Sequence, residues 1–233
     1  MPPSLEPIPV LDLKGGIVVR AAGGDRRRYP PLASPLAGGR SDPASVASAL
    51  LALAPFRRFY LADLDAIAGT GDHDEAVRAL VRAHPGVEWW LDRGARDPAA
   101  CAHLPVVPVI GSENLGADCP PPAGADWILS LDFRADRRLG AAAWLEDARR
   151  WPERVIVMSL DRVGARRGPD LARLARLRAQ APERRWYAAG GVRDAADLER
   201  LAAAGASGVL LASALHDGHL GPATLRPYLS GPA

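Results

Sequence analysis

The chain has 233 residues, of which 48% are hydrophobic, and its 29 basic and 27 acidic residues leave a net charge of +2. This size suits one globular domain with a full core. Near charge balance argues against a nucleic-acid-binding protein, which usually carries a basic excess, so the arginine-rich segments 25–29 and 134–138 are expected to be solvated surface. No apolar run reaches the roughly 18 residues of a membrane span. Two isolated cysteines and an N-terminus without a basic leader predict a cytoplasmic protein.

Eight short apolar segments recur along the chain, and each has the length and the β-branched or aromatic content of a strand. They are residues 8–13, 58–64, 87–91, 106–110, 127–132, 154–160, 185–189 and 208–212. Three of the segments between them predict helices. Residues 41–53 open with a capping Asp42, residues 168–180 are amphipathic, and residues 193–206 have a glycine where the helix should stop. Residues 114–126 carry few helix signals and predict a short or irregular connection.

Strands that alternate with helices predict an α/β fold, a (β/α)8 TIM barrel that spans residues 1–233 as a single domain. An open, doubly wound sheet is the alternative. An internal repeat favours the barrel, because four motifs recur in the same order in half-barrels of roughly 1–120 and 121–233. The matched pairs are Asp12 with Asp132, Asp65 with Asp161, Arg96 with Arg193, and Ser112 with Ser213. Convergence of similar barrel corners is the other explanation of these matches.

The segment VLDLKGG (10–16) places an acid inside an apolar strand. Ile8, Val10 and Asp12 fall on one face, because strand side chains alternate. A buried carboxylate is costly unless it is paired or used. In a closed eight-stranded barrel strand 1 lies opposite strand 5, so Asp12 and Asp132 are expected to face each other across the mouth where barrel active sites form. The pair suits acid–base catalysis; the alternative is that each acid pairs with a basic side chain and is structural.

Small residues after strands 7 and 8 predict an anion site, since backbone N–H groups can approach a phosphate there. These residues are Gly190, Gly191 and Ser213. A degenerate counterpart in the first half comprises Gly94, Arg96, Gly111 and Ser112. Two anion sites with carboxylates between them predict a small-molecule substrate that carries a phosphate at each end.

Weaker signals concern a loop, two histidine segments and a tryptophan pair. Residues 21–40 are long for a βα connection and predict either a flexible loop or a lid that folds over substrate. Segments 71–75 and 216–219 lack three or four convergent ligands, so no metal site is predicted and their histidines are expected in loops or at the surface. Of the adjacent Trp89 and Trp90, one is expected inside the barrel and one outside, both as packing residues.

Four segments resemble the ProFAR isomerase of histidine biosynthesis and its sister, the cyclase subunit of imidazole glycerol phosphate synthase. They are IPVLDLKGGIVVR, FYLADLDAIAG, ILSLDFRAD and YAAGGVRDAADLERLAAAGASGVLLASALHDG. The resemblance covers nearly the whole chain in order. It implies an Amadori aldose-to-ketose rearrangement of a bisphosphorylated ribonucleotide without metal or organic cofactor. In it Asp12 is the base at C2, Asp132 is the acid that opens the ribose ring, and the two sets of loop residues bind the phosphates.

The chain departs from the isomerase pattern at three positions of interest. Met158 stands where a Thr is typical, Val163 where a second Asp is typical, and Ala212 where a Gly closes strand 8. These departures resemble a divergent branch of archaea and methylotrophic bacteria, some of it near genes for methanofuran or tetrahydromethanopterin synthesis. The resemblance implies a phosphate-binding isomerase. The alternatives are an enzyme of one-carbon cofactor biosynthesis acting on another phosphorylated substrate, or a non-catalytic phosphosugar-binding paralogue.

Overall fold

The eight predicted strands all form, and they close into one barrel in the computed structural model, which describes residues 5–122 and 126–229. The barrel strands are β1 (Glu6–Lys14), β2 (Arg58–Asp63), β3 (Glu88–Asp92), β4 (Val107–Gly111), β5 (Ile128–Arg134), β6 (Arg154–Ser159), β7 (Arg185–Ala189) and β8 (Gly208–Leu211). Each pairs in parallel with the next along the chain. β8 then pairs with β1, from Glu6 opposite Gly208 to Pro9 opposite Leu211. The (β/α)8 barrel is confirmed and the open sheet is excluded.

Helices connect most of the strands. They are α1 (Pro43–Leu53), α2 (Leu64–Ala68), α3 (Asp74–Ala83), α4 (Ala142–Glu146), α5 (Leu171–Arg178), α6 (Ala195–Ala203), α7 (Ser213–His216) and α8 (Pro222–Leu229). Asp42 caps α1 as predicted, because its side chain accepts the Ser45 N–H. β3 and β4 are followed by 3-10 turns, at Pro98–Cys101 and Ser112–Asn114. Residues 123–125 of the connection predicted to be irregular lie outside the described residues. Among the described residues, no helix has the length and apolar character needed to cross a membrane.

Strand alternation divides the apolar residues into an interior cluster and an outer layer. Ile8 and Tyr60 belong to the barrel interior. Trp90 lies there too and packs edge-to-face on Tyr187, with ring centroids 4.9 Å apart. Trp89 points outward and belongs to the layer between sheet and helices. The predicted opposite orientation of the two tryptophans is confirmed.

The internal repeat is visible at the ends of β1 and β5. After each strand the chain turns back as a three-residue antiparallel strand, Ile17–Val19 in the first half and Arg137–Leu139 in the second. The last residue of each short strand pairs with the predicted catalytic acid, Asp12 or Asp132. The two acids thus occupy equivalent positions in two equivalent hairpins.

An equivalent hydrogen bond is also found in the turn of each hairpin. Gly15 (φ +58°) donates its N–H to Asp65 Oδ2 at 2.8 Å. Ala135 (φ +50°) donates its N–H to Asp161 Oδ1 at 2.9 Å. Asp65 and Asp161 are matched in the sequence repeat, and the structure gives them the same partner position. The half-barrel duplication is therefore present in three dimensions.

Candidate active site

A cavity opens at the C-terminal ends of the barrel strands, where barrel enzymes carry their active sites. It holds about 890 Å³ of open space, mouth included. Three acids line it: Asp12 from β1, Asp92 from β3 and Asp132 from β5. The two predicted catalytic acids therefore share one cavity.

Asp132 is buried and held by hydrogen bonds. The Ser130 hydroxyl donates to its Oδ1 at 2.6 Å, and the Glu113 N–H donates to its Oδ2 at 3.2 Å. The Asp132 N–H in turn donates to Ser112 Oγ at 2.9 Å. Burial and then the Glu113 carboxylate raise the pKa of Asp132 to about 7, although the bond from Ser130 opposes them. The carboxyl is fixed in position and exchanges a proton near neutral pH.

Asp12 is partly exposed to the cavity, and within the described residues its carboxylate accepts no hydrogen bond. Burial raises the pKa of Asp12 to about 7; the Arg26 guanidinium lowers it and the Asp92 carboxylate raises it further. A carboxyl whose pKa lies near the working pH serves as either acid or base. Asp12 is therefore free to act on a ligand, whereas Asp132 is anchored.

A third carboxyl, Asp92, is a cavity residue that sequence reasoning misses. The Tyr60 hydroxyl donates to its Oδ2 at 2.9 Å, and the Gly94 N–H donates to its Oδ1 at 3.1 Å. Burial raises the pKa of Asp92 above its usual range, and that of Tyr60 well above its own. A signal for this position was present: Asp92 ends β3 two residues after the interior Trp90, so strand alternation places it on the inner face at the cavity end of the barrel.

Residues 21–40 fold over the mouth of the cavity and are called the lid below. The lid residues that line the cavity are Ala21, Arg26 and Tyr29. Arg26 Nη2 donates to Glu113 Oε1 at 2.6 Å, across the cavity end of the barrel. The expectation of a solvated surface is thus wrong for Arg26, although its neighbours Arg27 and Arg28 are exposed. A local sequence pattern cannot reveal this inward position, because it depends on how the lid folds back.

Further contacts hold the lid to the barrel, among them contacts at three of the strand ends. Lys14, the only lysine of the chain, donates from Nζ to the carbonyl oxygens of two lid arginines, both at 3.0 Å. The Gly23 N–H donates to Val163 O at 2.9 Å. At the far end of the lid, Ser34 Oγ lies 2.9 Å from His216 Nδ1. The lid is therefore tied to the ends of β1, β6 and β8.

His73 lies in the loop before α3, as expected, whereas His216 ends α7; both side chains are buried, so neither is a surface histidine. His73 Nδ1 lies 2.7 Å from Asp63 Oδ1, and Gly16 N–H donates to His73 Nε2 at 2.9 Å. Burial lowers the pKa of His216 to about 4. Both rings brace the segments that enter and leave the lid. Across residues 5–122 and 126–229, no three His, Cys, Asp or Glu side chains are grouped to hold a metal.

The predicted anion-binding residues of the second half lie on the cavity wall: Gly190, Gly191 and Ser213. The two glycines have φ values of +101° and +91°, which favour glycine. A Cβ on Gly190 would lie 2.5 Å from Ser159 O, and one on Gly191 would lie 2.3 Å from Gly168 O. Only glycine fits at either position, so the wall here is open backbone.

Four predicted residues of the first half lie outside the cavity lining: Gly94, Arg96, Gly111 and Ser112. Ser112 is buried, and its hydroxyl donates to Leu139 O at 2.7 Å. Gly111 leaves room for the neighbouring acid, because a Cβ there would lie 2.9 Å from Asp132 Oδ2. Arg96 is exposed. The predicted anion-binding residues of the second half thus line the cavity, whereas those of the first half include groups that support the cavity acids.

The three departures from the isomerase pattern all face the cavity. Met158, Val163 and Ala212 line it, from the end of β6, the loop after β6 and the end of β8. An apolar side chain at each position offers a ligand contact without a hydrogen bond. The differences from the pattern are therefore differences in the site itself.

Comparisons with known proteins agree with this architecture. The histidine biosynthesis protein family matches residues 128–221. An uncharacterized protein of Methanocaldococcus jannaschii is 28% identical over 220 residues, which cover 91% of this chain and 94% of that protein. Isomerases of Myxococcus xanthus and Thermus thermophilus are named for an imidazole-4-carboxamide that carries two phosphoribosyl groups. The first is 27% identical over 252 residues (96% of this chain, 99% of that protein) and the second 29% over 235 residues (91% and 95%). The chain is thus similar to the histidine-biosynthesis isomerases, as its motifs predict.

Proposed function

We propose that the protein is a phosphate-binding barrel enzyme that isomerises a phosphorylated small molecule by acid–base catalysis of the Amadori type. The observation that carries the proposal is the acid pair: Asp12 and Asp132 stand at equivalent strand ends, line one cavity and both have pKa values of about 7. Perturbed carboxyls in a cleft are typical of catalytic groups. Two of the relatives are named isomerases, which indicates isomerisation as the class of reaction.

The protonation states of the pair fit a reaction that needs one acid and one base. If the two carboxyls titrate independently with pKa values of about 7, roughly half of the molecules at pH 7 carry one protonated and one ionised carboxyl. Arg26 lies near Asp12 and favours its ionised form, whereas Glu113 lies near Asp132 and favours its protonated form. These neighbours support the roles that the resemblance implies, with Asp12 as base and Asp132 as acid.

The chemistry on an aldosylamine then begins with two proton transfers. Asp132 protonates the ring oxygen as the C1–O bond breaks, and the nitrogen lone pair forms the C1=N bond of the open-chain iminium. Asp12 removes the C2 proton, and the C2–H electrons form a C1=C2 bond while the C1=N electrons return to nitrogen. Asp12 then returns its proton to C1 while the C2 hydroxyl loses its proton to Asp132, which gives the ketose and restores both carboxyls. No electron is gained or lost, so acid–base groups suffice.

The phosphate of the substrate is placed at Gly190, Gly191 and Ser213. Loops after the seventh and eighth strands are the frequent phosphate site of barrels, and open backbone lets phosphate oxygens approach N–H donors. Arg166, which also lines the cavity, adds a cation at this end. A fixed phosphate would orient the rest of the substrate toward the acid pair.

The departures facing the cavity favour a substrate other than that of the curated isomerases. Each missing hydrogen bond to a buried substrate group costs about 1–3 kcal/mol, and Met158 and Val163 offer none. Expression in a bacterium that lacks the histidine-pathway isomerase is therefore expected to restore growth without histidine poorly or not at all. Full growth at low expression would assign the histidine-pathway reaction to this chain.

The acid–base role is tested directly by exchange of the C2 proton with solvent. A thermal-shift screen of phosphorylated aldoses and aldosylamines would identify ligands, since a ligand raises stability by RT ln(1 + [L]/Kd). Ligands are then followed by proton NMR in D2O. Wild type is expected to exchange the C2 proton, and Asp12→Asn to lose about 10²–10⁴-fold of the rate. Asp136→Asn, which changes an exposed carboxyl, is the matched control. Exchange at the wild-type rate in both Asp12→Asn and Asp132→Asn would refute the proposal.

A further inference from the structure

The two halves of the barrel differ at the positions where the repeat predicts matching anion sites. Gly190, Gly191 and Ser213 form part of the cavity wall, whereas their counterparts in the first half lie outside its lining. One source of this difference is that donors of the first-half loops already bind other groups of the chain.

Three hydrogen-bond donors of the first-half loops already bind acceptors of the chain itself. Gly94 N–H donates to Asp92 Oδ1 at 3.1 Å, and Glu113 N–H donates to Asp132 Oδ2 at 3.2 Å. The Ser112 hydroxyl donates to a backbone carbonyl at 2.7 Å. A phosphate placed here would have to displace carboxylates and a carbonyl from the donors that it needs.

The charges at this end also oppose a second phosphate. Asp92 and Glu113 both contribute carboxyl groups there, and Arg26 is the cation of the lid nearest to them. Arg26 is already paired with Glu113 at 2.6 Å. A dianion in this position would face two carboxyls and one engaged guanidinium, and like charges repel strongly in a partly desolvated site.

Neutral polar groups, by contrast, fit the first-half end. Its side chains stand in donor–acceptor pairs, Tyr60 with Asp92 and Arg26 with Glu113. Such pairs can hydrogen-bond a hydroxyl, carbonyl or amide without an added charge. We infer that the substrate is a monophosphate whose phosphate binds at Gly190, Gly191 and Ser213 and whose opposite end is uncharged. The inference rests on the proposed phosphate-binding function and narrows the bisphosphate expected from the repeat.

The test is a titration of the ¹⁵N-labelled full chain with inorganic phosphate, followed by the backbone amide signals. The amides of Gly190, Gly191 and Ser213 are expected to shift and saturate, whereas those of Gly94 and Ser112 stay in place. Saturable shifts at both ends, or at the first-half end alone, would overturn the inference while leaving phosphate binding intact. Shifts at neither end would overturn the phosphate site of the proposed function, and the inference with it.

A charge-neutral variant probes why the first-half end excludes phosphate. Glu113→Gln removes one carboxylate and releases Arg26, so the Gly94 and Ser112 amides are expected to respond to phosphate in this variant. Glu146→Gln is the matched control, because Glu146 also pairs with an arginine but lies on the surface. First-half amides that stay unresponsive in Glu113→Gln would attribute the exclusion to the occupied donors and support the inference, whereas a response in Glu146→Gln would overturn it. The proton-exchange assay above is independent, so failure of the acid pair and failure of the monophosphate inference are distinguishable.

Discussion

Replacing Asp12 with Asn is expected to stabilise the fold while it abolishes turnover. The pKa of Asp12 is about 7 in the folded protein against a usual 3.8. The folded state therefore binds more protons than the unfolded state between those values, and its stability falls as pH rises through that window and is level above it. Asn has nearly the same volume and no charge, so the variant escapes this cost and also loses the proton transfer.

The size of the effect follows from the two pKa values. One unit corresponds to about 1.4 kcal/mol, so the ionised Asp12 lowers the free energy of unfolding by about 4 kcal/mol at pH 8 and by about 2 kcal/mol at pH 5. Asp12 is partly exposed to the cavity, and solvent reduces both figures. We expect Asp12→Asn to gain about 2–4 kcal/mol at pH 8 and about half of that at pH 5. Urea unfolding at the two pH values measures both.

The control and the refuting result are equally specific. Asp136→Asn changes an exposed carboxyl and is expected to leave the unfolding free energy unchanged at either pH. A gain in Asp12→Asn that is the same at pH 5 and pH 8 would attribute the effect to packing rather than to ionisation. A loss of stability at pH 8 would refute the reasoning altogether.

Three further changes test other parts of the site. Gly191→Ala is expected to cost about 1–3 kcal/mol of stability, because its Cβ would lie 2.3 Å from Gly168 O. The variant is also expected to lose the phosphate-dependent rise in melting temperature, and an unchanged rise would contradict this. Tyr60→Phe removes a hydrogen-bond donor from the Asp92 carboxyl and raises the pKa of that carboxyl. The loss of stability, about 1–3 kcal/mol, is therefore expected to be larger at pH 8 than at pH 4. Equal losses at the two pH values in urea unfolding would count against this. Lys14→Gln is expected to speed tryptic cleavage within the lid, seen by mass spectrometry; cleavage at the wild-type rate would show that the lysine does not hold the lid.

The barrel and its acid pair could be predicted because their signals are periodic and repeated. Strand alternation puts every second side chain inside, which places Asp12 on the inner face, and the repeat gives Asp132 the equivalent place. Neither inference needs a long-range contact. The structure confirms all eight strands, the repeat and the shared cavity of the two acids.

What could not be predicted depends on contacts between distant segments. Arg26 enters the cavity only because the lid folds back to Glu113, and its sequence context reads as an exposed basic run. The inward position of Asp92 could have been predicted from alternation with Trp90, but its hydrogen bond with Tyr60, 32 residues away, could not. The small residues around Ser112 indicate room for an anion, but they do not reveal that the chain's own acceptors already occupy the donors.

The anchoring of the lid by Lys14 gives the protein a built-in chemical reporter. Because no other lysine is present, amine-directed reagents have a single side-chain target apart from the terminal amine. The Lys14 amine is engaged by two carbonyl oxygens of the lid, so its acylation requires these hydrogen bonds to break. The rate at which an acylating reagent modifies this position therefore measures the frequency of opening in unmodified protein, and a ligand that keeps the lid shut would be detected as protection of one peptide.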